Sequence, residues 1–173
     1  MGKMIGYVAL VRAVNVGGTG KLPMSELKTA CEAAGFVSVR TYIASGNVIF
    51  QTAKTEAQVK AALEAALTAY VGKPVGVMVR TAAEMTAVVK QNPFVEMPGN
   101  RTAAFFLDTA PSADALQKVT NQTDEQLRLG VREIYVYFPG GMGNSKMQIP
   151  ATKIGTARNM NTIARLAEMA GSF

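Results

Sequence analysis

Val37-Ser-Val-Arg-Thr-Tyr-Ile-Ala-Ser-Gly-Asn-Val-Ile-Phe-Gln-Thr52 is the stretch whose reading decides the fold. Val37 to Ile43 is rich in β-branched and aromatic residues and reads as a strand. Ala44-Ser45-Gly46 reads as a tight turn and Asn47 to Thr52 as a returning strand, so the segment is a hairpin. Upstream, Pro23 suits the first turn of a helix and Gly35 its left-handed stop, which predicts a helix over about 23–34. Before it, residues 4–12 form an apolar run closed by Arg12, the pattern of a buried central strand. A glycine-rich connection, 13–22, lies between. Downstream, Thr55-Glu-Ala-Gln58 is a capping box, and Val59, Leu63, Ala66, Leu67 and Tyr70 give the next helix one apolar stripe. Gly72-Lys73-Pro74 breaks that helix, and Val75 to Arg80 reads as a strand. The order β-α-β-β-α-β predicts a ferredoxin-like unit: a four-stranded antiparallel sheet with both helices on one face. The other face is then solvated, bound by a ligand or covered.

Thr81-Ala-Ala-Glu84 is a second capping box, opening a helix that Asn92-Pro93 ends. Residues 94–101 read as loop and Thr102 to Asp108 as a strand. Pro111-Ser112 is expected to open a helix reaching Val119. Gln126 to Leu129 and Glu133 to Phe138 pair around Gly130, residues 139–157 read as irregular, and Asn159 to Ala170 as the last helix. The second half is thus β-α-β-β-α and lacks the closing strand. The expected fold is α+β: two ferredoxin-like halves with antiparallel sheets, 1–80 and 81–173, tightly packed and the second incomplete. No residue-level repeat accompanies the repeated topology.

Composition narrows the chemistry. The chain has 173 residues, a net charge of +6, a pI of about 9.6, no histidine and one cysteine. A basic balance favours anionic partners, although no run of like charge concentrates it. Lack of histidine removes Ser-His and Cys-His activation and imidazole metal ligation. A single cysteine excludes an intrachain disulfide and a multi-cysteine zinc site. Cys31 shares a helical face with Leu27 and Ala34 and reads as a small buried hydrophobe. No apolar run reaches the length of a membrane span. The apolar start reads as a strand rather than a signal peptide, and Gly at position 6 does not fit the myristoylation pattern. The expected location is the cytoplasm, with no membrane partner.

Two polar clusters carry what chemistry the sequence offers. In the first, Arg12 is followed by Asn15-Val-Gly-Gly-Thr-Gly-Lys21 and answered by Ser45-Gly46-Asn47. The setting between strand and helix suits a phosphate cradle, but Asn15 and Leu22 break the phosphate-loop pattern. What remains is either a flexible connection or a nest of backbone N–H groups with Lys21. Arg12 continues the parity of Val8 and Leu10, so it needs either structural partners or an anion. The turn alone accounts for Ser45-Gly46-Asn47. The second cluster is Gly140-Gly-Met-Gly-Asn-Ser145-Lys146 and Thr156-Ala-Arg158-Asn159-Met-Asn161. Adjacent Ser145 and Lys146 in a loop need not converge as nucleophile and base. Asn159 is an N-cap candidate. Arg158 at a helix start opposes the dipole unless an anion shares the site. The strand aromatics Tyr7, Tyr42, Phe50, Phe106, Tyr135 and Tyr137 fit a core or, facing outward, a single-stranded RNA platform.

Tyr7-Val-Ala-Leu-Val-Arg12-Ala-Val-Asn15-Val-Gly-Gly, Val39-Arg-Thr-Tyr-Ile-Ala-Ser45-Gly-Asn47-Val-Ile-Phe, Asn144-Ser145-Lys146 and Thr156-Ala-Arg158-Asn159-Met-Asn161-Thr162 together resemble one uncharacterised bacterial family, the domain of unknown function numbered sixteen ninety-seven. The resemblance implies paired ferredoxin-like subdomains and no catalytic residues. Ala13 and Ala157 depart from the family pattern, where Gly and Thr or a similar residue are expected.

The functional expectation is a site for an anionic, phosphate-bearing and nucleotide-like ligand at the junction of the halves. Arg12, Asn15, Lys21, Asn47, Ser145, Lys146, Arg158 and Asn161 would supply the donors that phosphate requires. One alternative is an RNA- or DNA-binding module using an open sheet; another is a metal-independent enzyme using Ser145 or Lys146; a third is a protein-interaction module. No metal and no cofactor is called for.

Overall fold

The computed structural model describes residues 2–12, 22–43, 46–153 and 155–173. Two units are resolved, Met1–Thr86 with Leu166–Phe173, and Ala87–Arg165. The first carries β1 (Ile5–Val11), α1 (Met24–Ala33), β2 (Val37–Tyr42), β3 (Asn47–Thr52), α2 (Glu56–Val71) and β4 (Val77–Thr81). α3 (Ala82–Lys90) follows directly. The second carries β5 (Thr102–Phe106), β6 (Gln126–Leu129), β7 (Glu133–Tyr137) and β8 (Thr156–Asn159), and α4 (Met160–Gly171) closes the chain.

Both sheets are antiparallel and four-stranded, in the orders β2-β3-β1-β4 and β6-β7-β5-β8. In the first, alternation turns Tyr7, Ala9 and Val11 towards Leu27 and Cys31 of α1 and Val59, Leu63 and Leu67 of α2. Phe36 stacks on Phe50 with ring centroids 4.4 Å apart, closing this core at one end. The opposite parity, Val8, Leu10, Ile49 and Met78, is also buried. The chain's C-terminus accounts for part of that cover: a Cβ on Gly6 would stand 2.9 Å from Phe173 Cδ2 and 3.3 Å from the Ala170 carbonyl.

The local signals act as their chemistry requires. Thr55 and Gln58 exchange both bonds of the capping box, at 2.9 and 3.2 Å, and Thr81 and Glu84 do the same at 2.9 and 3.1 Å. Gly72, at φ 85°, takes the left-handed cap that ends α2. α2 also closes the free edge of the sheet. Lys60 Nζ donates to the Val77 carbonyl at 2.6 Å, and the Val77 N–H donates to Glu64 at 2.9 Å. Side chains thereby satisfy backbone groups that an edge strand leaves unpaired.

The second unit is incomplete in its helices, not in its strands. β8 supplies the closing strand that the sequence reading lacked, pairing with β5 from Ala103↔Asn159 to Phe106↔Thr156. Thr-Ala-Arg-Asn holds one β-branched residue in four, so strand propensity gives no signal there. Asn159 caps α4 as expected, its side-chain oxygen accepting from the Thr162 N–H at 2.9 Å. The helix expected over Pro111–Val119 is instead a short turn, Ala115–Lys118, with three-residue spacing of its hydrogen bonds. Ala115 is its one buried residue, too little apolar surface to hold a longer helix. Connections replace helices over this sheet: Leu116, Val119, Met147 and Ala151 pack on Leu127, Ile134, Val136 and Phe138.

Candidate site: a cavity between two connections of the second sheet

The two long connections of the second unit, β5–β6 and β7–β8, are hydrogen-bonded to each other, and the second is also held to Arg101 just before β5. Thr120 and Gln148 form an isolated antiparallel bridge, with N–H···O distances of 3.0 and 2.9 Å. The Phe138 N–H donates to the Arg101 carbonyl at 2.7 Å, and the Arg101 guanidinium donates to the Pro139 carbonyl. Ser145 donates its hydroxyl to Oε2 of Glu125 and accepts from the Met147 N–H at 3.2 Å. The other carboxylate oxygen of Glu125 accepts from the Thr123 N–H at 2.7 Å and its hydroxyl at 3.2 Å.

A cavity of about 280 Å³ opens between these connections. One wall is Asn121, Thr123, Asp124 and Glu125. The other is Phe138, Gly140, Gly141, Asn144, Ser145 and Lys146. Asn121 sits at φ 58°, a left-handed conformation that its short amide tolerates. Gly141, at φ 90°, needs to be glycine for backbone reasons. Gly140 does not: its φ is not left-handed, and a Cβ there would meet nothing within 4 Å.

Glu125 is the electrostatic anchor. It is 5% exposed, yet hydrogen bonds rather than burial set its acidity. Burial acts in the opposite direction and is the smaller influence. The Ser145 hydroxyl, then the Thr123 backbone, hold its carboxyl down to about 2. A carboxylate so acidic is a poor general base, and the Ser145 oxygen is already engaged on both sides. This pair therefore fastens the loop. Lys146 is exposed and, among the described residues, makes no ion pair, although Asp124 and Glu125 line the same cavity.

The sequence-predicted residues divide between the units. Ser145 and Lys146 come together on the cavity. Arg158 is 7% exposed and takes oxygen partners from its own strand, Thr156 Oγ1 at 2.7 Å and the Ala157 carbonyl at 2.8 Å. Burial pushes its guanidinium down to about 10, still charged at neutral pH. Asn161 is exposed and lies against Gly99, where a Cβ would stand 2.1 Å from its Oδ1. Arg12 and Asn47 belong to the first unit. Arg12 is exposed; Asn47 is fully buried and donates to the Tyr42 carbonyl at 2.9 Å, closing the hairpin. Asn15, Lys21 and Ser45 lie outside the described residues. Sequence reading missed Asn121, Thr123, Asp124 and Glu125, whose Asn-x-Thr-Asp-Glu run matches no ligand-binding pattern. Of the strand aromatics, Tyr7 and Phe50 belong to the first core, and Phe106 and Tyr135 are buried too. Tyr135 donates its hydroxyl to the Val88 carbonyl at 2.9 Å.

This architecture agrees with the comparisons. The chain belongs to the family described as "Protein of unknown function (DUF1697)", which matches residues 4–135. That span takes in the first wall of the cavity and ends before the second. The chain is also similar to a solved structure described as "conserved bacterial protein SP0830 from Streptococcus pneumoniae", at 23% identity and a TM-score of 0.79, over 97% of this chain and 99% of that one. At that identity the likeness speaks for the fold alone. No curated protein matches. Among the described residues no helix is long and apolar enough to cross a membrane, and no His, Cys, Asp or Glu cluster could hold a metal ion.

Proposed function

We propose that the protein binds a small anionic ligand in the cavity of its second unit, with Lys146 as the pairing charge. The observation that carries this reading is the ammonium of Lys146, unpaired among the described residues, on a cavity whose walls are fastened by Glu125 and Ser145. A fastened cavity binds with less ordering cost than a mobile loop. Gly140 adds support, since neither backbone nor neighbours require glycine there, whereas close approach of a ligand does.

An open-sheet nucleic-acid module draws less support, because four of its six candidate stacking residues are buried. Catalysis by Ser145 is likewise disfavoured by the engagement of its oxygen.

Isothermal titration with inorganic phosphate and with glucose phosphate, phosphorylated on its primary hydroxyl, tests the reading. Saturable binding of either anion, weakened at least about fivefold by Lys146→Ala as expected for loss of one charge-assisted contact, supports it. Lys73→Ala, an exposed lysine of the first unit, is the control and leaves binding unchanged. No saturable binding of either anion, or equal binding by the Lys146→Ala protein, contradicts it.

A further inference from the structure

We infer that the ligand of this cavity is a polyhydroxylated anion of monosaccharide size, such as a sugar phosphate, rather than a nucleotide; this rests on the binding reading above. The argument begins with the two charges. Asp124 and Lys146 line one cavity, yet among the described residues they form no ion pair with each other or with a third group. An ammonium only donates and an ionised carboxylate only accepts. A ligand that satisfies both must therefore present an anionic group to one and hydrogen-bond donors to the other. Bare phosphate meets Lys146 and is repelled by Asp124. A phosphate joined to hydroxyl groups meets both.

The neutral groups favour hydroxyls as the donor. Asn144 donates its amide nitrogen to the Gly140 carbonyl at 2.9 Å, which leaves its side-chain oxygen as an acceptor. The Asn121 side chain makes no hydrogen bond among the described residues and offers both an acceptor and donors. Several dispersed acceptors match several hydroxyls better than the single ammonium of an amino acid. Glu125 adds little further capacity, since its Oε1 already accepts two hydrogen bonds and its Oε2 one.

Size and shape disfavour a nucleotide. At about 280 Å³ the cavity lies at the lower bound for small-molecule sites. Its one aromatic residue, Phe138, belongs to the core at 3% exposure and offers no open face for a base to stack on.

The test is titration of the intact protein, by calorimetry or thermal shift, with glucose phosphate, inorganic phosphate, AMP, glutamate and glucose. Glucose phosphate is expected to bind about tenfold or more tighter than each of the others, as one additional charge-assisted hydrogen bond gives. Asp124→Ala should weaken glucose phosphate about tenfold while leaving phosphate unchanged or tighter, because a repelling charge has gone. Asp124→Asn, which keeps an acceptor, should restore part of the loss. If AMP, glutamate or phosphate binds as tightly as glucose phosphate with Lys146 still required, the ligand class is wrong and the anion-binding reading stands. If none binds, both fall.

Discussion

Arg80 and Arg158 occupy the same place in the two sheets. Each lies on the closing strand, opposite Val8 of β1 and Ala104 of β5 respectively, one residue before the cap of a helix. Each is buried, 1% and 7% exposed, and donates Nη1 to the carbonyl of the residue before it, at 3.0 and 2.8 Å. A guanidinium has five donors in a rigid fork, so it can bind its own strand and other acceptors together. Lysine has neither the fork nor the reach. Arg80→Lys and Arg158→Lys are each expected to cost about 1–3 kcal/mol, read as a lowered urea midpoint at unchanged slope. A variant as stable as the parent would show that these guanidinium bonds contribute nothing.

The lock between Glu125 and Ser145 has a pH signature. Its folded carboxyl is held down to about 2, against an ordinary value of 4.5. A depressed acid contributes stability that is fully present above its unfolded value and is lost as pH falls through the folded one. The contribution should therefore be intact above about pH 5 and disappear progressively towards pH 2. Carbon-detected NMR titration of the Glu125 carboxyl measures the folded value directly. Ser145→Ala should raise it; a midpoint near 4.5 in the parent protein would contradict the account.

Two glycines should respond oppositely to the same change. A Cβ on Gly155 would stand 2.4 Å from the Phe106 backbone oxygen, an atom that the β5–β8 ladder fixes. Gly155→Ala is expected to cost about 1–3 kcal/mol by overpacking. Gly140→Ala meets nothing within 4 Å and should leave the melting temperature unchanged while weakening anion binding. Equal melting temperatures for both variants would count against the geometry at Gly155.

Cys31 lies fully buried against Leu27, and burial pushes its thiol up to about 12. The thiolate is the reactive form, so the native protein should be inert to disulfide-exchange reagents at neutral pH and react only as it unfolds. Prompt labelling under native conditions would require an open core at α1.

Much of the fold is legible in the chain because its local signals agree with one another. Both capping boxes, the Gly72 stop and the hairpin at Gly46 each act through neighbours a few residues away. What escaped reading depends on distant partners. Thr156–Asn159 becomes a strand because β5 offers an unpaired edge, not because its residues prefer strands. The repeat is hidden for the same reason: strand order and a buried arginine are kept, while α-helices in the first unit give way to connections in the second. For the site, glycine, serine and lysine drew attention to 140–146, whereas the facing wall at 121–125 carried no pattern. Arg158 misled through its nearness to a helix start; its own strand supplies oxygen partners for its guanidinium.

The most direct test of the central claim is amide NMR mapping during titration with glucose phosphate. The account predicts saturable shifts concentrated at Gly140, Gly141, Asn144 and Lys146, with a second group at Asn121 to Asp124. Shifts that never saturate, or that gather at Arg12 and Asn47 in the first unit, would contradict it.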